Sequence, residues 1–134
     1  MKVIAILVAV VFLVSGCAPS ASGAKLDPSD PVTLELWHYY NGPQKIAFDN
    51  LVSEFNDTVG LEKGIIVEAF SQGSIDELLN KVVDASNKKV GADDIPDIFA
   101  AYSDTAYAVD QLGLVADLDP YFTQEELDLS LIHI

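Results

Sequence analysis

From Val32 onward, short β-branched runs alternate with stretches whose apolar residues recur at helical spacing. Val32 to Trp37 is β-branched and aromatic and reads as a buried strand. Gly42-Pro43 then opens a helix, since proline is tolerated in the first turn. Phe48, Leu51, Val52 and Phe55 recur at i, i+3, i+4 and i+7, giving that helix one apolar stripe and an end near Asn56. Gly60 and Gly64 bracket a turn, and Ile65 to Phe70 predicts a second strand. Ser74 and Glu77 have the S-x-x-E spacing of a capping box ahead of a stripe made by Ile75, Leu78, Leu79, Val82 and Val83. Lys88 to Asp94 is a charged, glycine-containing loop, and Pro96 to Tyr102 predicts a third strand. Ser103 or Asp104 is placed to cap a short helix that stops at Gly113, and Thr123 with Glu126 to begin another.

Strand, helix, strand, helix, strand, helix with connections of this length predicts an α/β lobe with parallel strands, right-handed crossovers and helices on both faces. Ligands of such sheets sit beyond the carboxyl ends of the strands, where strand order reverses. The ends to search are therefore Trp37-His38-Tyr39-Tyr40-Asn41, Ser71-Gln72-Gly73-Ser74 and Tyr102-Ser103-Asp104.

The residues before Val32 follow another pattern. Met1-Lys2 precedes Val3 to Ser15, which carry no charge and match a signal-peptide apolar segment, short of the ~20 residues a spanning helix needs. Leu13-Val14-Ser15-Gly16-Cys17 resembles a lipobox, so residues 1–16 are expected to be cleaved and Cys17 to take the lipid. Residues 17–31, small, polar and punctuated by proline, read as a flexible tether, and the folded part is expected to span residues 32–128. The last six residues, Leu129 to Ile134, resemble the translation of a sequencing adaptor, and they and His133 are expected to carry no function.

Composition narrows the partners. Seven lysines, no arginine and 21 carboxylates in 134 residues give a net charge of −14. That charge disfavours nucleic acid and an anionic membrane surface, both of which require clustered cations. The lipid at Cys17 is then the expected membrane contact, because two or more acyl chains anchor stably. Half the residues are apolar, which excludes a disordered acidic tail. Cys17 is the only cysteine, so no internal disulfide or CxxC pair is possible.

The three strand ends combine aromatic rings with amide, hydroxyl and carboxylate groups. Carbohydrates call for that mixture, since a pyranose stacks its C–H face on a ring while Asp, Asn and Gln pair with its hydroxyls. Each residue also has a plainer reading: Trp37 as core, His38 as a structural histidine, Ser103 and Asp104 as helix caps, Gln72 as a solvated loop residue. No nucleophile elbow, zinc-protease, P-loop or dinucleotide fingerprint occurs. Neither a metal site nor a cofactor site is expected, and Asp93, Asp94 and Asp97 read as a solvated strand entry.

The lipobox and tether, "VTLELWHYYNGPQKIAFDNLVSEFN", "IIVEAF", "SQGSIDELLNKV" and "DIPDIFAAYSDTAYAVDQLGLVADLDPYF" together resemble the opening of an extracellular solute-binding protein of an ABC importer, in the group that includes maltose-type and glycerol-3-phosphate-binding proteins. The resemblance runs from Val32 to about Leu127. It implies a two-lobed, periplasmic-binding-protein-like (type II) fold, of which this chain holds part of the first lobe. It also implies ligand contacts at Trp37, His38, Tyr39, Gln72, Ser103 and Asp104, and a permease whose transmembrane subunits receive the solute without chemistry. Ile75 and Ser103 stand where glycerol-phosphate-type members carry an aromatic and a glutamate, and the lack of arginine also disfavours an anion. A carbohydrate-like solute is therefore the leading expectation. The alternatives are an exported α/β enzyme, a binding protein for another solute such as a phosphate ester, and a surface lipoprotein that contacts other proteins.

Overall fold

The computed structural model describes residues 25–131, and side chains as far as residue 129. Cys17, the apolar leader and His133 lie outside the described residues. The elements run β1 (Val32–His38), α1 (Gly42–Phe55), a π-helical turn (Asn56–Gly60), α2 (Leu61–Lys63), β2 (Ile65–Ser71), α3 (Ile75–Ser86), β3 (Ile98–Phe99), α4 (Ser103–Asp110), a 3₁₀ turn (Asp119–Tyr121) and α5 (Gln124–Leu131). The three strands form one parallel sheet in the order β2-β1-β3, so the chain is mixed α/β as its pattern predicts.

β1 is the central strand. It pairs with β2 along its whole length, Val32 with Ile65 through His38 with Ser71, and with β3 at Leu36 and Trp37 only. Alternation along β1 sends Leu34, Leu36 and His38 to one face and Glu35 and Trp37 to the other. On the first face α1 lays down Phe48, Leu51, Val52 and Phe55, the predicted stripe. On the second, Trp37 packs with Leu78, Val82 and Ala85 of α3 and Val109 of α4, flanked by Ile75, Ile95 and Phe99. This second cluster contains all the fully buried apolar side chains among the described residues, and the capping box of α3 holds it in place. The Ser74 hydroxyl accepts from the Glu77 N–H at 3.3 Å while the Glu77 carboxylate accepts from the Ser74 N–H at 2.7 Å.

Three local features depart from the sequence pattern. The first helix ends at Phe55 with Asn56 as its C-cap, as its stripe predicts, but the helical path then widens into a π-turn and continues to Lys63. The Asn56 side chain explains the widening, because its amide donates to Val67 O at 2.9 Å and its oxygen accepts from Val67 N–H at 2.8 Å. One side chain thus satisfies both backbone groups that β2 exposes on its outer edge at Val67, where an unpaired strand edge would otherwise remain. The third strand is two residues long rather than seven. Asp97 accepts the Glu35 N–H at 2.9 Å with its side chain, occupying the donor that a longer β3 would need. Finally, the end of the expected tether is an ordered turn in which Asp27 accepts from the Ser29 N–H and hydroxyl. It packs on Gly64, whose φ of +74° and 2.3 Å approach of a notional Cβ to Asp27 O leave room for glycine alone.

Much apolar surface stays open. A groove of about 370 Å³ runs between α1 and the sheet, lined by Leu34, Leu36, Phe48, Leu51, Val67 and Ile98 among others, and no described residue closes it. Leu51, in the middle of the stripe, is 62% exposed. Beyond α4, residues 111–126 are exposed throughout.

Two outcomes follow. Asn56→Ala is expected to cost about 1–3 kcal/mol, the scale for leaving buried backbone groups unpaired, and to accelerate hydrogen exchange at Val67, whereas Ser53→Ala on the solvent side stays within about 0.5 kcal/mol. Leu51→Glu is expected to lower binding of an apolar dye and to reduce concentration-dependent association in sedimentation, because it places a charge in the open groove.

Candidate rim at the carboxyl edge of the sheet

Parallel pairing brings the ends of all three strands to one edge, together with the N-termini of α1, α3 and α4. The chain leaves β1 toward α1 on one face and leaves β3 toward α4 on the other, so the two connections diverge, and the gap between them is the candidate crevice. Tyr39 to Asn41 form one lip and Tyr102 to Asp104 the other. The β2 end, Ser71 to Ser74, lies beside the first lip.

These segments are tied together by side chains acting on backbone. The Asn41 amide donates to Tyr39 O at 2.9 Å and to Gly73 O at 2.8 Å, the Ser71 hydroxyl donates to Tyr40 O at 2.9 Å, and Gln72 N–H donates to His38 O at 2.8 Å. Gly73 can turn here because it lacks a side chain: with φ at +93°, a Cβ would stand 2.3 Å from the Glu77 carboxylate. That carboxyl is held below the usual glutamate range by the Ser74 backbone N–H and then by its hydroxyl. The Asn41 tie and the link from Lys81 Nζ to Gln72 Oε1 at 2.7 Å were not legible in the sequence, since both join residues from separate elements.

The six expected contact residues divide into two groups. Trp37 is 2% and His38 1% exposed, on opposite faces of the sheet, so both lie in the interior rather than on the open rim. Central position in the sheet is the cause: a strand covered on both faces buries consecutive side chains. The Trp37 indole N–H donates to the Glu35 carboxylate, and the sliver of ring left open borders a cleft of about 220 Å³ between α3 and the 89–93 loop. His38 stacks on Tyr40 with ring centroids 5.3 Å apart and meets Phe48 of α1 edge-on at 4.9 Å. Its Nδ1 accepts the Tyr40 N–H at 3.1 Å. Burial pushes its pKa below the ordinary histidine value, Lys45 adds to that, and Asp49 opposes it.

Tyr39, Gln72, Ser103 and Asp104 form the second group, at the surface of the carboxyl edge. Tyr102, at the end of the expected third strand, is 59% exposed and joins them. Ser103 is not a cap but the first residue of α4, whose N-cap position is held by Tyr102 with no side-chain bond. Asp104 accepts from its neighbour Thr105 N–H at 2.7 Å. With Tyr39 across the crevice, the exposed set offers two phenol rings, a hydroxyl and a carboxylate, beside the half-buried Gln72 amide whose oxygen accepts from Lys81. Among the described residues no group of three or more His, Cys, Asp or Glu is placed to hold a metal ion. No family model, curated protein or solved structure matches the chain.

Because Trp37 is the single tryptophan, its placement is directly measurable. Emission is expected at short wavelength with weak quenching by acrylamide, while Tyr102, on the open lip, reacts readily with a phenol-iodinating reagent.

Proposed function

We propose that this chain forms part of the solute-gripping lobe of a lipid-anchored binding protein serving an ABC importer, with a carbohydrate-like molecule as its solute. The observation that carries the reading is the gathering of exposed Tyr39, Tyr102, Ser103 and Asp104, with half-buried Gln72 beside them, at the carboxyl edge of a parallel sheet whose strand order reverses at β1. Phenol rings supply flat apolar faces for a pyranose, and amide, hydroxyl and carboxylate supply paired hydrogen-bonding groups for its hydroxyls. Trp37 and His38 support the rim from beneath rather than touch the solute. The order and spacing of the sequence segments that resemble such binding proteins add to the reading, as does the lipobox ending at Cys17.

A second lobe and further chain against the first belong to the same proposal. The open groove beside α1 and the uncovered outer side of the two-residue β3 support it, since exposed apolar surface of this extent marks an interaction site. Solute then sits between two lobes and is released unchanged to the permease, with no bond made or broken. Lipid at Cys17 keeps the protein on the outer side of the membrane that holds the permease.

Calorimetry on the protein against a carbohydrate panel tests this. Saturable heat with at least one sugar is expected, weakened about tenfold or more by Tyr39→Ala or Asp104→Ala through loss of about 1.4 kcal/mol or more, with no turnover at any stage. No heat with any sugar, alongside clear binding of a phosphate ester, contradicts the solute; turnover of a substrate contradicts the class.

A further inference from the structure

The one buried titratable side chain among the described residues stands directly beneath the first lip of the crevice. His38 is the last residue of β1, and its imidazole fills the space between the Tyr40 ring and Phe48 of α1. The Tyr40 N–H donates to Nδ1, which fixes the neutral tautomer with its proton on Nε2. Nε2 is itself buried without a hydrogen-bond partner. The ring thus already carries one N–H without an acceptor, and Nδ1 can take a proton only by surrendering the Tyr40 amide.

We propose that His38 is a proton-operated latch for the rim segment Tyr39–Asn41: neutral imidazole holds the segment against α1, and imidazolium releases it. The titratable groups that face the ring are Lys45 and Asp49 of α1, which pair with each other at 2.7 Å, and the Tyr40 phenol. The β2 and β3 residues beside His38 are Ser71, Phe70, Phe99 and Ala100, none of which titrates near neutrality. No carboxylate on those strands compensates a charge on the ring, and Asp49 is already engaged by Lys45.

Release has a defined route. Once Nδ1 is protonated, two N–H groups face each other, and the Tyr40 amide turns away. Tyr40 O is held by Ser71 and Tyr39 O by Asn41, which also reaches Gly73, so movement at Tyr40 pulls on the contacts that set the lip. Tyr39, whose ring lies 5.1 Å from that of Tyr40, moves with it. The device does not depend on which solute the crevice takes.

Folded-state pKa lies below the unfolded value, so the unfolded chain binds the proton first. Stability from the neutral ring is present above about pH 6.5 and is lost as pH falls below it. Hydrogen exchange of the Tyr40 amide, corrected for intrinsic rate and followed by NMR on the full chain in a pH series carried from 7.5 downward until the His38 Cε1 proton has titrated, tests the latch. Protection at Tyr40 is expected to be lost on acidification, with the midpoint of the loss coinciding with the titration of the His38 Cε1 proton in the same samples. In His38→Asn, whose amide oxygen can accept the Tyr40 N–H but cannot titrate, protection is expected to stay constant across the series. Equal protection of wild-type Tyr40 before and after His38 titrates, a midpoint displaced from the His38 titration, or the same loss in His38→Asn would overturn the proposal. Because no solute enters the experiment, failure of the latch is distinguishable from failure of the solute-binding reading.

Discussion

Everything in this lobe depends on β1 being held between two parallel partners. Only near its carboxyl end, where β3 joins β2 in pairing with it, does β1 bury consecutive side chains, Trp37 and His38. Trp37 nucleates the packing of α3 and α4 on one face, and His38 locks α1 at the other through Phe48. Past His38 the chain returns to the surface at Tyr39. Parallel pairing in turn sends every strand end to the same edge, and reversal of order at β1 keeps the connections from closing over it. The rim is thus a consequence of topology before it is a consequence of any one side chain.

The periphery is managed by single polar side chains acting as strand substitutes. Asn56 closes the outer edge of β2 at Val67, and Asp97 takes the Glu35 N–H where β3 would otherwise extend. Both devices limit sheet growth and leave the sheet narrow. A narrow sheet has a cost: α1 spans only part of its face, and the groove beside Leu51 remains open. The surface groups at the rim and the apolar groove are therefore distinct features on different sides of the lobe, with different chemistry.

The regular elements were legible because their signals are local. Strand composition at Val32–Trp37, the i, i+3, i+4, i+7 stripe of α1 and the Ser74–Glu77 box each specify structure over a few residues, and each is present. Thr123 and Glu126 likewise cap α5 as their spacing predicts. What failed was non-local. The length of β3 is set by Asp97 meeting a donor 62 residues away, and the π-turn by Asn56 meeting a strand not yet formed when the helix is read in isolation. Trp37 reads equally as rim or core, and His38 reads first as a structural histidine, because composition does not say whether a strand lies at the centre or the edge of its sheet. Only pairing on both sides decides that.

Backbone chemical-shift mapping with a sugar panel tests most sharply whether solute is gripped at the rim. If the carboxyl edge grips the solute, shifts concentrate at residues 39–41, 71–73 and 101–105 and fade along β1 toward Val32. Shifts confined to the α1 groove around Leu51 and Val67, or spread evenly with no focus at the strand ends, would contradict the account.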